Sequence, residues 1–245
     1  MYYRLFKFLI RTLRTLSLLV MSALPIQSGQ ADELIDDAGL WTQIDGVINL
    51  DSIDPKLDRF LLSITGEARF FDDFNHLSQG IVRLTPGFRF NENITLLFGY
   101  TWVPNIPIGG QAYGEHDINQ AFNWSLNPDW GQLKTRTMVE WRFVSNDSQM
   151  AVRLRQRVRA KYRLSTISPR LSLVGWEEFF INVNTVAWGP ESGFDQNRAF
   201  AGFDWQLDKH EQFTLELGYL NQYIHHPDRN DLLNHMLFTG ILFNF

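Results

Sequence analysis

The stretch that decides the fold is Ala151-Val152-Arg153-Leu154-Arg155-Gln156-Arg157-Val158-Arg159-Ala160-Lys161-Tyr162-Arg163-Leu164. Arg153, Arg155, Arg157, Arg159, Lys161 and Arg163 occupy every second position. Val152, Leu154, Val158, Ala160, Tyr162 and Leu164 fill the alternate ones, with Gln156 the exception. A period of two is the period of a β-strand, so all six cations fall on one face and the apolar residues on the other. One face that is wholly cationic and one that is apolar cannot both meet the same medium. In a membrane barrel, Arg or Lys turned toward lipid at mid-depth costs roughly 2–4 kcal/mol each, so this ladder is expected to face a lumen.

The same period runs outward from this segment in both directions. Residues 132–143 place Leu133, Thr135, Thr137, Val139, Trp141 and Phe143 on one side, with Lys134, Arg136, Met138, Glu140 and Arg142 on the other. Residues 59–71 set Phe60, Leu62, Ile64, Gly66, Ala68 and Phe70 against Arg59, Leu61, Ser63, Thr65, Glu67 and Arg69. Candidate strands fall at 39–50, 59–71, 78–90, 94–103, 116–126, 132–144, 150–164, 170–182, 196–207, 211–224 and 232–245. Their length suits tilted strands of the roughly 9–11 residues needed to cross a bilayer, and exceeds the usual strand of soluble proteins. Pro86-Gly87 inside the third predicts a bulge or bend. After the first 31 residues no useful helix-period segment appears.

Connections alternate in length. Asn91–Asn93, Asn127–Gly131, Ser165–Pro169 and Asp208–His210 are short, whereas Pro104–Glu115 and Val183–Asp195 are long, with Ser145–Gln149 and His225–Asp231 between them. Outer-membrane barrels have short periplasmic turns and longer external loops. Phe88, Phe90, Trp124, Phe203, Trp205, Phe213, Phe243 and Phe245 gather beside the short turns, and Tyr100, Trp102, Trp141, Phe143, Tyr219 and Tyr223 toward the other end. Two such belts suit the two membrane interfaces. The expected fold is therefore all-β: a transmembrane antiparallel up-and-down β-barrel of about ten to twelve strands. Eleven candidates conflict with the even number usual in single-chain bacterial barrels, which predicts ten or twelve. Either segment 39–50 lies outside the wall or a strand hides in a long loop.

Residues 1–31 read as a secretory signal peptide. Arg4, Lys7, Arg11 and Arg14 precede the apolar run Leu16–Leu24, and small residues lead to cleavage expected after Ala31. Residues 32–245 are then the barrel domain. The chain has 245 residues, 44% hydrophobic, with a formal charge of −5 and no cysteine. Without cysteine there is no disulfide framework, no thiolate metal site and no lipoprotein anchor. The 22 basic residues include those four, so the remainder, set against 27 acidic residues, gives no footing for nucleic-acid binding. The end of the chain, Gly240-Ile241-Leu242-Phe243-Asn244-Phe245, resembles the barrel-assembly signal of outer-membrane proteins, carried by Gly240, Phe243 and Phe245. The expected location is the bacterial outer membrane of a Gram-negative-type cell. Expected partners are its lipid and lipopolysaccharide and the barrel-assembly machinery.

Shorter motifs carry a resemblance to a family. Gly39-Leu40-Trp41-Thr42, Leu77-Ser78-Gln79 with Arg83, Phe194-Asp195-Gln196-Asn197-Arg198, Leu217-Gly218-Tyr219, Asn221-Gln222-Tyr223, Asn234-His235 and the terminal Phe245 occur in the order and spacing of domain-of-unknown-function family 2490. The chain resembles that family over essentially all of residues 32–245. What this implies is a secreted, outer-membrane barrel of unassigned activity, with no catalytic residue to carry over.

Three functional classes follow. A lumen lined by Arg153, Arg155, Arg157, Arg159, Lys161 and Arg163, with Lys134, Arg136 and Arg142 beside them, focuses a positive potential. That favours small anionic solutes in a narrow passive channel or a binding barrel. Alternatively Glu67, Glu140, Glu216, Asp204 and Asp45, with either Glu177 or Glu178, neutralise the ladder, and the barrel is closed and structural. Third, Asn75-His76-Leu77-Ser78-Gln79-Gly80 resembles the His-x-Ser stretch of outer-membrane phospholipase A, though Ile81-Val82-Arg83-Leu84-Thr85 lacks the residues expected downstream. His225-His226 with Asp228 and Asp231 lacks a third ligand at defined spacing. No catalytic residue, metal or cofactor is expected.

Overall fold

The structure, a computed structural model, describes residues 34–210 and 212–245. The expected signal peptide and its cleavage point lie outside the described residues. Eleven strands follow one another: β1 (Ile35–Asn49), β2 (Phe60–Phe71), β3 (His76–Arg89), β4 (Ile94–Asn105), β5 (Tyr113–Leu126), β6 (Gly131–Val144), β7 (Ala151–Arg163), β8 (Leu171–Asn182), β9 (Gly193–Gln206), β10 (Phe213–Ile224) and β11 (Leu232–Asn244). Each pairs with its sequence neighbours, and β1 joins β11 to close the barrel.

Among the described residues the strands number eleven, and the even-number expectation fails. All neighbouring pairs are antiparallel except the seam, where β1 and β11 run parallel from Ile35↔Leu232 to Val47↔Asn244. Ten antiparallel pairings joining eleven strands leave the first and last pointing the same way. The parallel ladder is the only way such a sheet can close. Segment 39–50 is thus neither outside the wall nor accompanied by a hidden strand, and its strand begins earlier, at Ile35. Between β1 and β2 the chain makes two short 3-10 turns, Leu50–Ser52 and Pro55–Leu57.

The bulge expected at Pro86-Gly87 is also absent. β3 runs through both residues, paired with Leu62 and Leu61 of β2. On the other edge the β3–β4 register passes from Leu84↔Tyr100 to Gly87↔Leu97, as suits a proline with no N–H to donate. The shifts of register fall instead at Arg69/Phe70 and Phe180/Ile181.

Alternation places the two faces as the sequence predicts. Phe98, Tyr100, Trp102, Leu154, Val158, Phe203, Trp205, Leu217, Leu237 and Ile241 all stand exposed on the outside. Arg155, Glu140, Asp117, Glu178, Asp204 and Glu216 are buried inside. The barrel is therefore inverted relative to a soluble protein, with its apolar side chains outward and its charges inward. One sector of the interior is apolar all the same. Trp41, Val174, Trp176, Phe200, Leu220, Met236 and Phe238 form a buried cluster on the wall from β8 round to β1. Phe200 lies across the directly paired Gly202 and Gly218, where a Cβ on either would come within 2.6 and 2.7 Å of its ring. Glycine at both positions lets the aromatic ring rest on the backbone of the wall.

Candidate functional site: the charged interior

Arginines on β6 and β7 converge on carboxylates from three directions. Glu140, fully buried, accepts from Arg153 Nε at 2.8 Å and from Arg155 Nη1 at 2.6 Å. Arg83 of β3 approaches the same carboxylate at 3.9 Å. On the neighbouring β8, directly opposite Arg157, Glu178 Oε1 accepts from Arg155 Nη2 at 2.9 Å and from Arg136 Nη2 at 2.8 Å. Arg142 closes a two-pronged fork on Glu115, at 2.5 and 3.1 Å. Farther along β7, Arg159 reaches Glu216 Oε2 at 2.6 Å and Asp204 Oδ2 at 3.0 Å, and Lys161 meets Asp204 at 3.1 Å. Charge-assisted bonds of this kind, particularly two-pronged ones, fix geometry as well as energy.

The nine cations predicted to face the lumen therefore separate into two groups. Arg136, Arg142, Arg153, Arg155, Arg159 and Lys161 each have a carboxylate partner. Lys134, Arg157 and Arg163 have none among the described residues, and Arg163 is exposed at the strand end. Of the predicted counter-charges, Glu140, Asp204 and Glu216 meet the ladder, whereas Glu67 pairs instead with Arg69 two residues on, at 2.6 Å. The choice left open between Glu177 and Glu178 falls to Glu178. Glu177 lies on the outer face, where Asn197 donates to it at 2.9 Å.

Three interior arginines were missed as site residues. Arg69 lies 3.6 Å from the centroid of the Trp41 ring, and Arg198 lies 4.8 Å from Trp41 and 4.4 Å from Phe180. Arg83 donates to Thr101 Oγ1 at 2.8 Å. The signal was available, since Arg69 shares the face of Glu67 and Arg83 that of Thr85. The aromatic faces that Arg69 and Arg198 stack on, however, belong to other strands, Trp41 standing directly opposite Arg69 on β1, and cation–π partners have no spacing to read.

The long β8–β9 connection covers one mouth above β6 and β7. Asn184 accepts from the Val152 N–H at 2.7 Å and donates to Met150 O at 2.9 Å. Trp188 Nε1 donates to Gln149 O at 3.0 Å, and its ring sits 5.2 Å from the Arg142 guanidinium. Val186 is buried beneath. The His-x-Ser stretch lies at the same end of the barrel. His76 Nε2 contacts Ile106 O at 2.6 Å, and Ser78 Oγ donates to the backbone carbonyl of His76 at 3.3 Å. Neither contact links the imidazole to the hydroxyl. In the β10–β11 connection, Asp231 receives His225 Nδ1 at 3.0 Å and the His226 N–H at 2.8 Å. Burial raises the Asp231 pKa, but hydrogen bonds from Tyr223 and His226 and the His225 ring more than offset it and hold the carboxyl below its usual range. Among the described residues no group of three His, Asp or Glu side chains could hold a metal ion.

At the opposite end, Gly240 faces inward against the Phe238 ring, and Phe245 packs edge-on to Phe213 at 5.4 Å and beside Phe243 at 5.8 Å.

Comparison with known proteins adds a relationship and no activity. A 225-residue alignment with an uncharacterized protein of Methylorubrum extorquens is 27% identical and covers 91% of each chain. The profile described as "Protein of unknown function (DUF2490)" matches residues 38–233. No solved structure matches.

Proposed function

From the chain's membership of the DUF2490 family, whose function is unassigned, we propose that this barrel is a closed outer-membrane protein that holds small anionic solutes without passing them freely. The carrying observation is Glu140. Fully buried on β6, it ties Arg153 and Arg155 of β7 together, while Glu178 of the neighbouring β8 takes Arg155 and Arg136 in turn. A ladder neutralised across the lumen obstructs it with side chains, as small barrels allow. The apolar outer face, the two aromatic belts and the aromatic C-terminus support placement in an outer membrane, with assembly through the barrel-assembly machinery. A passive anion-favouring channel is the second reading, supported by the cations left without carboxylates.

Planar-bilayer recording separates the two. A heat-modifiable, folded protein without single-channel steps is the expected result. Steady ohmic steps with an anion-shifted reversal potential, lost in an Arg155→Glu/Arg157→Glu variant, would establish the channel instead.

A further inference from the structure

β6 and β7 bring like charges face to face. Their register sets Arg136 directly opposite Arg157 and Lys134 directly opposite Arg159. Both pairs point inward, so four cations form a two-by-two block on one patch of wall. Like charges directly opposite on adjacent strands destabilise a sheet unless something anionic lies between them. The carboxylates nearby are committed elsewhere. Glu178 holds Arg136 and Arg155, while Asp204 and Glu216 hold Arg159, with Lys161 also on Asp204. Asp45 accepts from Thr65 Oγ1 at 2.6 Å and from Gln43. None of these meets Arg157 or Lys134 within ion-pair distance. A second observation points the same way: Arg136 Nε is buried with no acceptor among the described residues. An orphaned guanidinium N–H costs free energy that an acceptor would recover. Lys134 is exposed to solvent beside the short Asn127–Trp130 turn, so the block can be reached through the short-turn mouth.

We propose that Lys134, Arg136, Arg157 and Arg159 form a binding site for a soluble oxyanion of the phosphate type. Planar guanidinium forks with an ammonium beside them match a compact group bearing two negative charges and several acceptor oxygens. The inward orientation selects a dissolved ion or phosphate monoester over a lipid headgroup. The site deepens the anion-holding part of the function proposed above and rests on it, but it does not require that the lumen be closed.

The test uses the folded full-length barrel in a zwitterionic detergent, titrated with inorganic phosphate by calorimetry and by its thermal unfolding midpoint, against chloride at equal ionic strength. Phosphate is expected to raise the midpoint of the wild type and to bind saturably. Arg157→Gln removes an unpaired cation that is not needed to neutralise any carboxylate. It should fold at least as well without phosphate and lose about tenfold in affinity, as should Lys134→Gln. Lys56→Gln, on the exposed β1–β2 connection, should bind like the wild type. Phosphate acting no better than chloride, or acting equally on Arg157→Gln, overturns the site. A conducting protein that still binds phosphate through Arg157 overturns the closed lumen and leaves the site standing.

Discussion

The two walls of the interior are filled by different physics. From β2 to β7 the inward residues include Glu67, Arg69, Arg83, Glu115, Arg136, Glu140, Arg142, Arg153 and Arg155, packed as ion pairs. From β8 round to β1, beside Glu178, Asp204 and Glu216 that reach back to the cations of β7, they include Trp176, Phe200, Leu220, Met236, Phe238 and Trp41, packed as rings and methyls. Phe200 and Phe238 meet edge to face at 5.1 Å, and Trp176 stacks on Phe200 at 5.3 Å. The aromatic wall supplies shape, and its stability should vary smoothly with volume. The ionic wall supplies complementarity, and its stability should depend on every partner being present. The walls join where Arg69 and Arg198 lay their guanidinium groups on the Trp41 ring.

Near-isosteric substitutions test that contrast. Glu140→Gln keeps the shape but leaves Arg153 and Arg155 without their shared charge, and should cost about 3–5 kcal/mol in urea unfolding of the detergent-folded barrel. Phe238→Leu, in the other wall, keeps apolar volume and should cost only about 1 kcal/mol in the same assay. Equal costs would mean that the charges contribute no more than packing does.

A smaller effect separates two turns of the same end. Asp208 Oδ1 accepts from the Phe213 N–H at 2.8 Å, and Oδ2 accepts from the His210 N–H at 2.9 Å. Asn91 Oδ1 plays the same part for Asn93 and Ile94, at 2.9 and 2.8 Å. Hydrogen bonds from the backbone, that of Phe213 first, hold the Asp208 carboxyl below its ordinary range. A group whose pKa falls on folding stabilises above its unfolded value and ceases to do so as pH drops through the folded one. Exchange protection of the Phe213 amide, corrected for the intrinsic rate, should therefore decline on acidification while that of Ile94 holds. Parallel behaviour of the two amides would deny Asp208 its role.

Most of the wall was legible because its signal is local. The alternation around Arg153–Arg163 assigns faces correctly on β7, and that around Leu133–Phe143 does so on β6. Closure was not legible, because the Ile35↔Leu232 pairing joins the two ends of the chain and no local pattern encodes it. The pairing of charges was half legible. Parity put Glu140 and Asp204 inside, yet which cations they would hold depends on strand tilt, and that is set by the register of the whole barrel. Lys134 and Arg157 could not be told apart from Arg159 until the carboxylates had been placed. The aromatic core escaped notice because Phe200 and Phe238 sit on the opposite parity from the belt aromatics of β9 and β11, and the belts alone suited the expected bilayer.

The parallel seam also bears on how such a barrel comes to exist. Ile35 lies at the end with the long connections and Phe245 at the end with the short turns. Ten of the strands form five returning loops, β2 with β3 through β10 with β11, each of which comes back to the short-turn end where it started. β1 has no such companion. In the outer-membrane placement proposed above it would cross alone between β2 and β11, with Ile35 at the end opposite Phe245, so that closing the cylinder takes one unreturned passage.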